Sequence, residues 1–166
     1  MNTLRGAERM LGEAGDQWYD ELPLAPWQPK SRGTLAILWA LVTPLEAVAA
    51  WLVWRSSGGL WWTLALLFWF AQGTLRLVWP SVFYGLHFVD AGAVLLALIL
   101  ALASASSTCM ALAGDVTACA LMAVYGAWLA YLWSLNVYTA VRLRPQRTEE
   151  TVNSIPARPL PRGLRV

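Results

Sequence analysis

The chain has 166 residues, 58% of them hydrophobic and 13% charged, with a net charge of +2 and eleven tryptophans. A mean hydropathy of +0.49 is more than a soluble domain needs to stay dispersed, and tryptophan, with a large apolar body and one N–H donor, favours membrane interfaces and apolar interiors. The arginines gather in the C-terminal tail rather than in a basic patch, which excludes a nucleic-acid-binding protein and leaves an integral membrane protein as the class.

In chain order, residues 1–17 contain no apolar run long enough for a signal-peptide core or a span. They read as a short amphipathic or disordered lead, and a Trp-rich pre-helix loop completes residues 1–33. Four segments then reach the roughly 20 apolar residues that a membrane span requires: 34–54, 60–84, 88–113 and 116–141. Their connectors are short and turn-like: Arg55 to Gly59, Gly85 to His87, and Gly114 with Asp115. Consecutive helices are therefore antiparallel neighbours in one bundle. The runs are continuous rather than alternating, and an open sheet cannot satisfy its backbone in lipid, so strands are excluded. The expected fold is all-α, a polytopic helical membrane bundle of four spans over residues 34–142. Lys30 and Arg32 precede the first span, and Arg142, Arg144 and Arg147 follow the fourth. Basic residues flank the cytoplasmic side, which puts both ends, and the C-terminus, in the cytoplasm, with Arg55 dissenting on the opposite face; a bacterial inner membrane fits. Residues 143–166, with Pro145, Pro156, Pro159 and Pro161 among arginines, read as a flexible cytoplasmic tail.

Three stretches carry a resemblance. Trp18, Tyr19 and Leu22, then Trp27 and Pro29, precede a helix with Trp39 that ends on Val53, Trp54 and Arg55; Gln72, Leu75, Arg76, Trp79, Pro80, Phe83 and Gly85 follow in the second helix; Tyr125, Trp128, Tyr131, Leu135 and Asn136 follow in the fourth. In this order and spacing they resemble the tryptophan-rich sensory protein and translocator protein family, TspO/MBR, over about residues 18–142. The departures are specific. The family has five spans, and its first has no counterpart after Met1; its Gly-Pro before Trp39 is replaced by Ile37 and Leu38, a Tyr by Thr43, a Pro by Val124, and the Asn of its ligand pocket by Arg76.

At helical spacing, Trp39, Thr43, Glu46 and Ala50 share a stripe; so do Gln72, Arg76, Trp79 and Phe83, and again Tyr125, Trp128, Leu132 and Asn136. Lipid-facing stripes do not keep Gln, Arg, Glu and Asn, so these faces point inward. They either line a cavity with aromatic walls or form a polar seam that holds helices together. The resemblance adds Trp27 to the candidate ligand-binding residues Trp39, Thr43, Glu46, Gln72, Arg76, Trp79, Phe83, Tyr125, Trp128 and Asn136. Glu46 and Arg76 are the two deepest charges. At 1.5 Å per residue they lie about 18 and 12 Å from the cytoplasmic helix ends, an offset that their side chains span, so they are expected to pair. The pair is either structural, or Arg76 offers its fork of donors to a ligand carboxylate such as a tetrapyrrole propionate.

Weaker signals complete the reading. His87, the single histidine, sits at a cytoplasmic turn and reads as a solvated turn residue rather than a haem ligand. Cys109 and Cys119 flank the Gly114 turn as two thiols or, in an oxidising compartment, a disulfide. Ala93, Ala97, Ala101 and Ala105 form a small-residue stripe that permits close helix approach. Leu135, Tyr138 and Arg142 fit the loose cholesterol-recognition pattern. Without the family's first helix, exposure of Gln72, Arg76 or Asn136 to lipid would be costly, which calls for a homodimer or a membrane partner, with the alanine stripe as contact. No nucleophile-and-base pair, carboxylate dyad or phosphate loop is legible, so no catalytic or metal residues are assigned. Two functions remain. The resemblance implies a membrane protein that binds a porphyrin, haem or sterol-like molecule for sensing, transport or turnover, and it allows porphyrin degradation. The alternative is a non-catalytic helical subunit or scaffold that has lost the pocket, as Arg76 and the missing helix would favour.

Overall fold

The structure is a computed structural model that describes residues 18–29, 32–56 and 58–154. Residues 1–17, Lys30, residues 155–166 and the side chain of Arg147, on which parts of the sequence reading rest, lie outside the described residues. Four helices account for most of the rest: α1 (Arg32–Arg55), α2 (Leu60–Pro80), α3 (Val89–Leu112) and α4 (Val116–Ser154). Three of them, over Gly33–Arg55, Val89–Leu112 and Val116–Pro145, are long and apolar enough to cross a membrane. Helix α2 has 21 residues, about 31 Å of length, but Gln72 and Arg76 within it lower its hydropathy. Those residues face inward, so α2 belongs to the bundle although its composition is less apolar than the fourfold expectation assumed.

The turns explain the boundaries. Gly114 adopts the left-handed conformation at φ 86°, which costs glycine nothing and lets the Asp115 amide donate back to the Met110 carbonyl. The Asp115 carboxylate then accepts from the Ala118 amide at 2.8 Å, capping α4. At the other face, Pro80 has no N–H to donate to the carbonyl four residues back. The helix consequently widens into a π-turn over Ser81–Gly85, where the second span had been expected to continue as regular helix. His87 closes this turn at φ 56°, its ring stacked on Trp18 with 4.2 Å between centroids. Helix α4 also departs from expectation, running through Pro145 to Ser154 rather than ending at residue 141. The segment after Val141 is rich in Arg, Gln and Glu, which sustain a helix even where composition forbids a core of its own.

Helix α3 packs extensively on α2 and on α4, α1 lies against α4, and the α1–α2 seam is the thinnest of the ring. Small buried residues make the close approaches: Ala49 and Val53 on α1, Ala65 on α2, Ala103 on α3, Ala118 on α4. The Ser106 hydroxyl donates across helices to the Ala65 carbonyl at 2.8 Å, and the Trp62 indole N–H donates to the Val53 carbonyl, tying the C-terminal end of α1 to the N-terminal end of α2. The alanine stripe sits at the flank of the buried face of α3. Ala93 is buried, Ala97 and Ala105 are half-buried and Ala101 is exposed, whereas Leu96, Ile99, Ala103 and Met110 point to the centre. Spacing by four drifts about 40° per step around a 3.6-residue helix, so the stripe does not stay on one face.

The expected exposure of polar groups is confined to Arg76. Gln72 and Asn136 are buried by this chain's own helices and Arg76 keeps only 23% of its side chain exposed. Gln72 and Asn136 therefore call for no second copy or partner helix to cover them, contrary to expectation.

Candidate functional site

The polar residues of three stripes converge midway through the bundle. Glu46, 2% exposed, accepts from Gln72 Nε2 at 2.6 Å and forms an ion pair with Arg76 Nη1 through its other oxygen. The Tyr125 hydroxyl donates to Gln72 Oε1 at 3.0 Å and accepts from Arg76 Nη1 at 3.4 Å. The four side chains thus close a directed ring: Arg76 to Tyr125 to Gln72 to Glu46, with Arg76 also on Glu46. Its direction fixes the Gln72 amide, because the opposite orientation would set carbonyl oxygen against carboxylate. The ring bridges α1 and α2 where those helices otherwise touch least, and Tyr125 ties it to α4. The expected Glu46–Arg76 pair is present. Its net charge is zero, which is how two charges survive in an apolar interior.

Aromatic rings enclose the ring of polar groups. The Arg76 guanidinium lies 5.9 Å from the centroids of both Trp39 and Tyr125, within cation–π range. Trp39 meets Trp128 edge-on at 6.1 Å. Thr43, one turn before Glu46, is half-buried on the same face. Toward the π-turn end of α2 a second group forms: Trp79 stacks on Phe83 at 5.3 Å, and Phe83 lies against Gly92, where an added Cβ would stand 2.9 Å from Phe83 Cδ2 and 3.6 Å from Asn136 Oδ1. Asn136 is two turns from Trp128 on α4, and its amide donates to the Leu132 carbonyl at 3.1 Å.

Trp27 stands apart from both groups. It is exposed, packs edge-on against Tyr138 at 5.2 Å, and its carbonyl accepts from the Tyr131 hydroxyl, fastening the pre-helix loop to α4. Of the eleven candidates, ten fall into these two groups, and Trp27 lies outside them, against Tyr138 of α4. Gly92 is the residue that the sequence reading passed over. A lone glycine within an alanine-rich helix marks a closer approach than alanine permits, and that was its available signal. Cys109 and Cys119 are free thiols, and Cys119 Sγ lies 3.5 Å from the Ser107 hydroxyl.

Among the described residues, four buried side-chain atoms have no hydrogen-bond partner: the indole nitrogens of Trp79 and Trp128 and Asn136 Oδ1 in these two groups, and the indole nitrogen of Trp69, one turn before Gln72 on α2. An unpaired buried donor costs about 1–3 kcal/mol. The tryptophan-lined, inward-facing stripes occur in the order read from the sequence. Consistent with that order, the family model for TspO/MBR matches residues 3–142, a match that takes in the four helices through Arg142, and the chain belongs to the TspO/MBR family.

Proposed function

We propose that this membrane protein binds a hydrophobic ligand, a porphyrin, haem or sterol-like molecule, between α1, α2 and α4, with Trp39, Trp79 and Trp128 as walls and Arg76 and Asn136 as polar anchors. The observation that carries this reading is the set of unpartnered indole donors at Trp79 and Trp128 beside a guanidinium that is still partly open. Flat, acceptor-bearing ligands suit aromatic walls with N–H groups pointing inward. Sensing, transport or turnover would follow from such binding, with both termini on the cytoplasmic side of a bacterial inner membrane. In the same reading, outward-facing Ala101 with half-buried Ala97 and Ala105 offers an edge on which a second copy or a partner helix can pack closely.

The competing reading is a scaffold that has lost the pocket. The closed hydrogen-bond ring around Glu46 favours it, because a satisfied polar ring also serves as interhelical glue. Titration of the purified protein with protoporphyrin, followed by tryptophan fluorescence, separates the two. Ligand binding predicts quenching, and weaker affinity for Trp39→Phe, Trp79→Phe and Trp128→Phe than for Trp61→Phe, whose ring is exposed at the outer end. Equal effects at all four positions would remove the interior site.

A further inference from the structure

We infer that the junction of α1 and α2 binds the headgroup phosphate of an anionic phospholipid, with Arg55 as the charge that holds it and Trp51, Trp54 and Trp61 as the donors around it. The site is at the membrane surface and is independent of the interior ligand site. The span Gly33–Arg55 has 23 residues, about 34 Å of helix, against a hydrocarbon core of about 30 Å. Arg55 therefore ends the span in the headgroup layer. Trp51, one turn back, lies at the inner edge of that layer, where indole rings settle. Trp54 is tilted against Trp62 with 5.6 Å between ring centroids, and the Trp62 indole N–H donates to the Val53 carbonyl. These two contacts hold the start of α2, and Trp61 with it, beside the end of α1.

The chemistry of this patch is one-sided. Trp51, Trp54 and Trp61 are exposed, as is Arg55. Among the described residues no carboxylate pairs with Arg55, and the first turn of α2 holds no acidic residue. The indole N–H groups of Trp51, Trp54 and Trp61 likewise donate to no described residue. Asp115, the other described charge at this end of the bundle, caps α4 through the Ala118 amide. The Arg55 guanidinium lies 4.8 Å from the centroid of the Trp51 ring, within cation–π range. Because Trp51 precedes it by one turn, that contact turns the side chain back along α1 to the depth of the lipid phosphates instead of out into water. Arginine matches a phosphate by a planar fork of donors. A patch with one positive charge, several N–H donors and no carboxylate complements a phosphodiester. It favours a headgroup without a cation of its own, since a choline or ethanolamine ammonium would bring a second positive charge beside Arg55.

The test places the full chain in nanodiscs of phosphatidylcholine doped with a trace of headgroup-photoreactive phosphatidylglycerol or, in parallel, photoreactive phosphatidylcholine, and maps the labelled residues by mass spectrometry. Phosphatidylglycerol should label the region of residues 51–62 about fivefold more than phosphatidylcholine, the value of one arginine at a membrane surface. Arg55→Gln should bring the two lipids to the same level there, while labelling around Arg142, at the other end of the bundle, stays as in wild type and reports an intact fold. Wild type alone gives a second reading: in about 1 M salt, where surface charges are screened within a few ångströms, the preference should fall toward equality. Equal labelling by the two lipids in wild type at low salt overturns the inference, and so does a preference that survives either Arg55→Gln or high salt. Millimolar glycerophosphoglycerol, the water-soluble headgroup, should leave the labelling unchanged. Full competition by it would make the occupant a soluble phosphate and overturn the assignment to lipid.

Discussion

Removing the charge of Arg76 should damage this protein more than removing that of Glu46, and the difference follows from how each is buried. Arg76→Met keeps the apolar stem but leaves Glu46, 2% exposed, with Gln72 Nε2 as its remaining partner. An uncompensated carboxylate at that depth costs about 3–5 kcal/mol. Glu46→Gln leaves a cation with 23% of its side chain exposed, still in contact with Tyr125 and able to donate to the new amide oxygen, so about 1–3 kcal/mol is expected. In the double variant neither charge remains, and a coupling of about 1–3 kcal/mol should be recovered. Reversible unfolding in mixed micelles of increasing denaturing detergent, read by far-ultraviolet circular dichroism, measures all four corners of the cycle. Additive costs, or a milder Arg76→Met than Glu46→Gln, would refute the account of a neutral buried pair.

Gly92→Ala should destabilise by about 1–3 kcal/mol, because the added methyl meets Phe83 Cδ2 at 2.9 Å and that ring is held between Trp79 and Trp18. Gly126→Ala on α4, with nothing within 4 Å of its Cβ, should instead stabilise by up to about 1 kcal/mol through helix propensity; the same unfolding assay compares the two, and equal effects would contradict the close approach at Gly92. Asp115→Ala should cost about 1 kcal/mol and Asp115→Asn almost nothing, since both Asp and Asn cap helices well; hydrogen exchange at the first turn of α4 should speed up only in the alanine variant.

Much of the molecule was legible in the residues because it is set by local chemistry. Length and apolarity mark spans, and the Gly114–Asp115 turn carries its stop and start signals in two adjacent residues. Helical spacing likewise assigned Gln72, Arg76, Tyr125 and Asn136 to inward faces, and the depth count along two helices was enough to pair Glu46 with Arg76. Periodicity, however, gives a face without naming what it meets. That Gln72 and Tyr125 complete the ring around Glu46, that Phe83 presses on Gly92, and that this chain's own helices cover the polar stripes all depend on how helices rotate against one another, which no single helix encodes. Spacing by four also winds slowly around the helix, so the alanine stripe spreads over more than one face, and the tertiary packing chose the neighbouring row of Leu96, Ile99 and Ala103 for the centre. Pro80 and Pro145 show the remaining limit. Each removes the same hydrogen bond, yet a π-turn follows one and the helix runs on through the other, a difference that proline's own chemistry does not set.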